Sequence, residues 1–170
     1  MTKKLKVVFV CTGNIFRSVA AEYCLKDYLK NKGINNIIAK SAGISATPQQ
    51  MHPTIPKALS NYGIDITKHK QSKLTREIVD ISDVVIAMSK SHQDFIKEEF
   101  EIYAPLFNEL ALQKNESILD VNEAIPDYHV NPKAVNEYIK KTVAYIHEMT
   151  PKVSEALQTV LADKSKGKNL

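Results

Sequence analysis

Apolar positions along the chain follow two rhythms. Val7 to Cys11 is an unbroken run of small and β-branched residues, the pattern of a strand covered on both faces. From Ser18 to Asn31 the period lengthens: Ala20, Ala21, Cys24, Leu25, Tyr28 and Leu29 recur at helical spacing, and Lys32-Gly33 supplies a stop. Ile37 to Ser41 reads as a second strand closed by Ala42-Gly43. A loop carrying Pro48, Pro53 and Pro56 leads into a helix from about Pro56 to Tyr62, ended by Gly63. Val84 to Met88 is the third strand, and Ser89 caps a helix to about Phe100. Ile102 to Phe107 is a weaker fourth strand, and Leu110 to Glu123 has no clear period. After Ile125-Pro126-Asp127, a helix runs from about Pro132 to Met149. Thr150-Pro151 then looks like an N-cap with proline at the first helical position, so a last helix restarts there and reaches about Ala162.

Strands alternating with helices predict an α/β fold: one domain over residues 1–163, with a four-stranded parallel sheet, doubly wound, and helices on both faces. The polar stretch 164–170 is expected to fray as a tail. In such sheets ligands gather at the carboxyl ends of the strands, where the segment after Cys11 falls.

Composition narrows the picture. A chain of 170 residues with no internal repeat can bury a single core. The basic start is followed by too short an apolar stretch for a signal peptide, and no segment approaches a membrane span. A cytoplasmic protein without membrane association is therefore expected. Two Cys in that setting argue against a disulfide framework and leave Cys11 free as a reactive thiol. The net charge of +4 suits anionic ligands, and the absence of a stripe of basic and aromatic residues excludes a nucleic-acid partner. No pair among His52, His92, His129 and His147 has metal-ligand spacing, so neither a metal nor another cofactor is expected.

The candidate chemistry lies in Cys11-Thr12-Gly13-Asn14-Ile15-Phe16-Arg17-Ser18, a Cys-x5-Arg segment between the first strand and the first helix. A turn feeding a helix start points successive backbone N–H groups inward and adds partial positive charge, which suits a phosphate dianion. Arg17 can grip two phosphate oxygens with its planar fork. The chain holds 21 Lys and only two Arg, so an Arg here points to bidentate geometry rather than bare charge. Cys11 is the candidate nucleophile, because a helix N-terminus and a nearby cation favour thiolate over thiol. Cys24, on an apolar helix face, reads as structural. An acid is also needed to protonate the leaving group, and Asp127 and Asp120 both lie in the right part of the chain.

At this point the sequence resembles the low-molecular-weight protein tyrosine phosphatases. The resemblance covers roughly residues 5 to 130. It rests on the Cys11 to Ser18 loop, Ser41-Ala42-Gly43, Gly63-Ile64-Asp65, His69, Leu74-Thr75, Val85-Ile86-Ala87-Met88 and Ile125-Pro126-Asp127, in the family's order. It implies a phosphatase I-like fold and hydrolysis of phosphotyrosine in proteins or peptides through a phosphocysteine at Cys11. Arg17 would be the phosphate clamp, and inorganic phosphate the product. It also selects Asp127 over Asp120 as general acid and base. Thr12, Gly13, Asn14, Ile15, Phe16 and Ser18 would form the loop, with Asn14, Ser18, Ser41 and His69 in a hydrogen-bond network holding it rigid and Ser18 bonding the sulfur.

The chain departs from that family in four places. Asp127 is followed by Tyr128-His129-Val130 rather than Pro and aromatic residues. Thr47 and Pro48 stand where another aromatic wall is usual, which leaves Thr47 and Tyr128 as the candidate substrate wall. Phe16 replaces a second Cys beside the loop Arg, and the stretch after about Pro132 is longer. Four other readings compete. A protein arginine phosphatase shares the fold but tends to carry a small Thr at the position of Ile15. A thioredoxin-linked arsenate reductase needs further Cys residues. A phosphocysteine carrier needs neither Arg17 nor an acid, and a non-catalytic phosphate-binding module needs no acid.

Overall fold

The computed structural model describes residues 4–166. The elements run β1 (Leu5–Cys11), α1 (Arg17–Asn31), β2 (Ile37–Gly43), α2 (Thr54–Ser60), α3 (Arg76–Ile81), β3 (Val84–Ala87), α4 (Lys90–Phe100), α5 (Phe107–Leu112), α6 (Val121–Ala124) and α7 (Pro132–Ser165). The sheet is parallel with strand order β2-β1-β3, so β1 is central. Alternate residues of β1 feed two separate cores, as a period of two requires. Leu5, Val7, Phe9 and Cys11 face α1, α2, α5 and α7. Val8 and Val10 face α3 and α4. The sheet is thus covered on both faces.

Three strands, not the expected four, form that sheet among the described residues. The segment 102–107 reaches β3 only through a single bridge between Ala87 and Leu106, where Ala87 N donates to the Pro105 carbonyl at 2.9 Å. Proline has no N–H to return, so the ladder cannot extend, and Phe107 already opens α5.

The second correction concerns α7, which continues unbroken through Pro151 instead of restarting there. One apolar stripe, Val143, Ile146, Val153 and Leu157, crosses the proline and packs into the larger core. The Thr150 hydroxyl bonds back to the Ile146 carbonyl at 2.7 Å. Packing along that stripe outweighs the lost backbone bond. The helix carries on through residues 164 and 165 of the expected tail, where Lys164 pairs with Asp83 at 3.0 Å, and residues 167–170 lie outside the described residues.

Smaller shifts follow from capping. The helix expected from Pro56 begins at Thr54 with Pro53 as its N-cap. α3 fills a stretch with no expected element, opened by the Thr75 hydroxyl accepting from Ile78 N at 3.4 Å. Ser89 stands at the N-cap of α4 without capping it, since its hydroxyl is engaged with His92 and Ser91.

Candidate active site

Register puts Cys11 beside Gly43, the last residues of the two strands, and the chain then loops over residues 12–16 into α1. Gly43 has no side chain because the loop lies against it. A Cβ there would stand 2.6 Å from Thr12 O, 2.8 Å from Asn14 N and 2.9 Å from the Gly13 carbonyl carbon. Asn14 has φ 53, a left-handed conformation that Asn tolerates better than most side chains.

Side-chain bonds hold Asn14 there. Its Oδ1 accepts from Ser72 N at 2.9 Å, which fixes the orientation of the amide. Its Nδ2 therefore donates, to Ser18 Oγ at 3.0 Å and Ser41 Oγ at 2.8 Å. Ser41 in turn donates to the buried carboxylate of Glu22, which also pairs with Lys26. An ionised carboxylate can only accept, so the polarity of the chain is set from that end. Ser18, already accepting from Asn14, is left with its one hydrogen for Cys11 Sγ at 2.9 Å. His69 Nε2 lies 3.0 Å from the Asn14 carbonyl, and Gln71 Nε2 donates to the Gly13 carbonyl at 2.7 Å. The expected network of Asn14, Ser18, Ser41 and His69 is assembled in one place. Glu22, Gln71 and Ser72 join it without having been anticipated. Glu22 carries no signal of this role: at helical spacing it falls in line with Lys26 and Lys30, so the sequence reads it as part of a solvated face.

Arg17, at the start of α1, is 1 % exposed. A buried cation needs partners. Nη1 donates to the Ile118 carbonyl at 2.9 Å, and Nη2 donates to Asp120 Oδ2 at 2.8 Å and to Thr12 Oγ1 at 3.3 Å; Glu123 stands 3.8 Å from Nη1. Nε is buried with no hydrogen-bond partner among the described residues. One edge of the fork is thus anchored while a donor remains for an anion. Behind the loop, Thr12 Oγ1 also meets His92 Nε2 at 2.9 Å, and His92 Nδ1 meets Ser89 Oγ at 2.8 Å. Burial, with the Arg17 charge adding to it, pushes the His92 pKa down to about 3, so the ring is neutral.

Cys11 and Arg17 open onto a cleft of about 530 Å³. Ile15, Phe16, Ile55, Val121 and Tyr128 give it apolar walls, and Gln49, Gln50, His52 and Asn122 polar ones. Thr47 is not among the lining residues; it offers its carbonyl to Gln71 at 3.0 Å, and Gln49 and Gln50 stand in its place. Asp120 lines the cleft, whereas Asp127 is exposed and accepts from Asn131 Nδ2 at 3.1 Å, one residue from the wall residue Tyr128. Cys24 is buried, and burial pushes its thiol up to about 12, the behaviour of an inert core residue. Among the described residues no group of three or more His, Cys, Asp or Glu is placed to hold a metal, and no helix is long and apolar enough to cross a membrane.

A parallel α/β sheet thus carries a Cys-x5-Arg loop at the carboxyl end of its central strand, the place where ligands gather in such folds. The family model for low molecular weight phosphotyrosine protein phosphatase matches residues 6–162, and the chain belongs to that family. A protein-arginine-phosphatase of Bacillus subtilis is 35% identical over 100 residues, 58% of this chain and 65% of that protein. A probable low molecular weight protein-tyrosine-phosphatase, EpsP, of Ralstonia nicotianae is 30% identical over 91 residues, 54% of this chain and 60% of that protein. These matches span under two thirds of either relative. Among solved structures, a YwlE mutant from Bacillus subtilis superposes with a TM-score of 0.77 at 26% identity, covering 91% of this chain and 99% of that one. A solution structure of a low molecular weight protein tyrosine phosphatase from the same organism gives 0.76 at 26% identity, covering 91% and 98%.

Proposed function

We propose that the chain is a cytoplasmic protein phosphatase that hydrolyses phosphotyrosine in proteins or peptides through a phosphocysteine at Cys11. The observation that carries this reading is the pairing of a Ser18-bonded Cys11 sulfur with a buried Arg17 whose Nε has no partner among the described residues, both at the floor of one cleft. In the first step the Cys11 thiolate attacks phosphorus and the bond from phosphorus to the phenolic oxygen breaks. A carboxylic acid gives that oxygen its proton. In the second step the resulting carboxylate takes a proton from water, the water oxygen attacks phosphorus, the S–P bond breaks, and inorganic phosphate leaves with the thiolate restored. Arg17 holds the equatorial oxygens in both steps, and the Ser18 hydroxyl makes sulfur a better leaving group.

The carboxylate assigned to proton transfer is Asp127. Asp120 accepts from Arg17 and from Val121 N, so it serves as an anchor for the guanidinium rather than a proton carrier. Asp127 has no cationic partner among the ion pairs of the described residues and adjoins the cleft wall through Tyr128.

Ile15, Ile55 and Tyr128 give an aryl ring apolar contact, which supports tyrosine. The second reading, a protein arginine phosphatase, is supported by the Bacillus subtilis relative of that name. A panel of phosphotyrosine, phosphoserine and phosphoarginine peptides, run with wild type and Cys11→Ser, separates them. Preferred turnover of phosphotyrosine, lost by several orders of magnitude in Cys11→Ser while inorganic phosphate still binds, is expected. Preferred turnover of phosphoarginine replaces the substrate assignment. More than a tenth of wild-type turnover in Cys11→Ser overturns the covalent mechanism.

A further inference from the structure

The side of the loop facing α4 is held by a relay that the reaction above does not use. Thr12 Oγ1 lies between Arg17 Nη2 at 3.3 Å and His92 Nε2 at 2.9 Å, and His92 Nδ1 lies 2.8 Å from Ser89 Oγ, itself 2.9 Å from Ser91 Oγ. His92 is 1 % exposed, so water cannot substitute for these partners.

Two hydrogen arrangements are open to this row, and they differ in which ring nitrogen of His92 carries the proton. Arg17 can only donate, so Thr12 Oγ1 accepts from it. The single Thr12 hydrogen is then available to one acceptor, and a bare His92 Nε2 provides it. In that arrangement the ring proton resides on Nδ1 and goes to Ser89 Oγ, whose own hydrogen passes to Ser91. Every group in the row is satisfied in this arrangement. With the proton on Nε2 instead, His92 and Arg17 would both donate to Thr12, whose hydrogen would turn away from the ring.

Resting on the reading of the Cys11 loop as the phosphate site, we propose that His92 is a positioning residue: it takes the Thr12 hydrogen, leaving the Thr12 oxygen to hold one arm of the Arg17 guanidinium at the angle that presents Nε to phosphate. Its neutral state, imposed by burial and by the Arg17 charge, keeps Nε2 an acceptor. Ser89 acts through it by fixing the tautomer. The histidine stands outside the cleft and touches no reacting atom.

The test compares His92→Leu, which removes the acceptor, with His92→Gln, whose amide oxygen can replace it. His92→Leu should lower kcat/KM for an aryl phosphate about tenfold and weaken competitive inhibition by inorganic phosphate to a similar degree, the effect of one lost hydrogen bond to a charge-paired group. His92→Gln should recover most of both. Thr12→Val should lose as much as His92→Leu, and the double variant no more than either alone. Equal impairment of the Leu and Gln variants, additive losses, or wild-type phosphate affinity in His92→Leu would overturn the proposal. Nitrogen-15 NMR of the wild-type ring supplies a readout independent of any variant's folding: a proton on Nδ1 is expected, and one on Nε2 refutes the relay. Should the wild type hydrolyse no phosphate ester, the phosphatase reading fails, and calorimetric binding of inorganic phosphate to the same variants still decides the role of His92.

Discussion

Replacing Gly43 by Ala adds one methyl group at the most crowded point behind the loop. The new carbon would lie 2.6 Å from Thr12 O, 2.8 Å from Asn14 N and 2.9 Å from the Gly13 carbonyl carbon. Ordinary contacts of this kind are about 3.5 Å. Relief therefore takes a displacement of roughly 0.5–1 Å, and every obstacle is backbone, so no side chain can swing aside. β2 is pinned on its other side, where Gly43 N donates to Ser72 O and Gly43 O accepts from Leu74 N, both at 2.8 Å. The loop is what moves. Overpacking of this kind costs about 1–3 kcal/mol, which for a domain of this size lowers Tm by roughly 2–12 °C. A misplacement of about 1 Å in a reacting group costs on the order of a hundredfold in rate, so kcat/KM for an aryl phosphate should fall about 10- to 100-fold in protein that is still folded. Gly33→Ala is the control. Gly33 has φ +66 with nothing within 4 Å of an added carbon, so this variant should lose about 1 kcal/mol of stability from backbone strain and keep its activity. The measurements are thermal melts and steady-state kinetics on both variants. Wild-type kcat/KM in Gly43→Ala would show that the loop tolerates displacement and that its rigidity plays no part in turnover.

Three further outcomes follow from the same geometry. Glu22→Leu removes the acceptor that polarises the Ser41, Asn14 and Ser18 chain; it should cost about 1–3 kcal/mol by denaturant melt and lower kcat/KM about tenfold, and unchanged kinetics would detach the chain from the sulfur. Asp127→Asn should impair phosphotyrosine peptides more than activated aryl phosphates and flatten the basic limb of the kcat/KM profile, whereas Asp120→Asn should weaken phosphate inhibition equally for all leaving groups; the reverse pattern exchanges the two roles. His92 has its pKa held near 3 in the folded chain against 6.5 when free, so the unfolded state takes up the proton first. The stability that depends on its neutral form is complete above about pH 6.5 and is lost as pH falls toward 3, so Tm should drop more steeply over that range in wild type than in His92→Gln, and parallel profiles would refute it.

The parts of this site legible in the sequence are those whose meaning is local. Cys11 and Arg17 lie within one turn of each other, so their spacing alone brings them together. The run Val7 to Cys11 announces a central strand because every residue in it is apolar. Ser18 is different: a serine at a helix start has the form of an N-cap, and only the Asn14 amide, held by Ser72 N, gives its hydrogen a direction. His92 was unreadable for a similar reason. It looks like a polar residue in the first turn of α4, and its partner Thr12 is 80 positions away. Proline misled twice, in opposite senses. Pro105 ended a strand that apolar pattern favoured, because a ladder needs N–H groups. Pro151 failed to end a helix that local rules would stop, because the buried stripe on α7 continues past it.

The loop concentrates features that cost stability: a left-handed Asn14, a buried guanidinium with one donor unpaired among the described residues, and a backbone pressed against Gly43. The bonds that offset those costs are also the ones that aim its groups, and they arrive from places far apart in the chain: Ser41 at the end of β2, Ser72 after the His69 turn, Ile118 and Asp120 before α6, and His92 in α4. Of these supports only Ile118, through its carbonyl, belongs to an apolar cluster that flanks the sheet; the others are polar side chains or backbone groups outside both clusters. Preorganised donors accelerate a reaction because they need not reorganise as charge develops. A substitution that slackens one support therefore returns some local strain while it misdirects Arg17 or the sulfur. Its loss of activity should exceed what its loss of stability implies. Truncations in the two cores, at Leu157 or Ile96, should do the opposite, costing about 2–5 kcal/mol of stability while the kinetics of the remaining folded protein stay close to wild type.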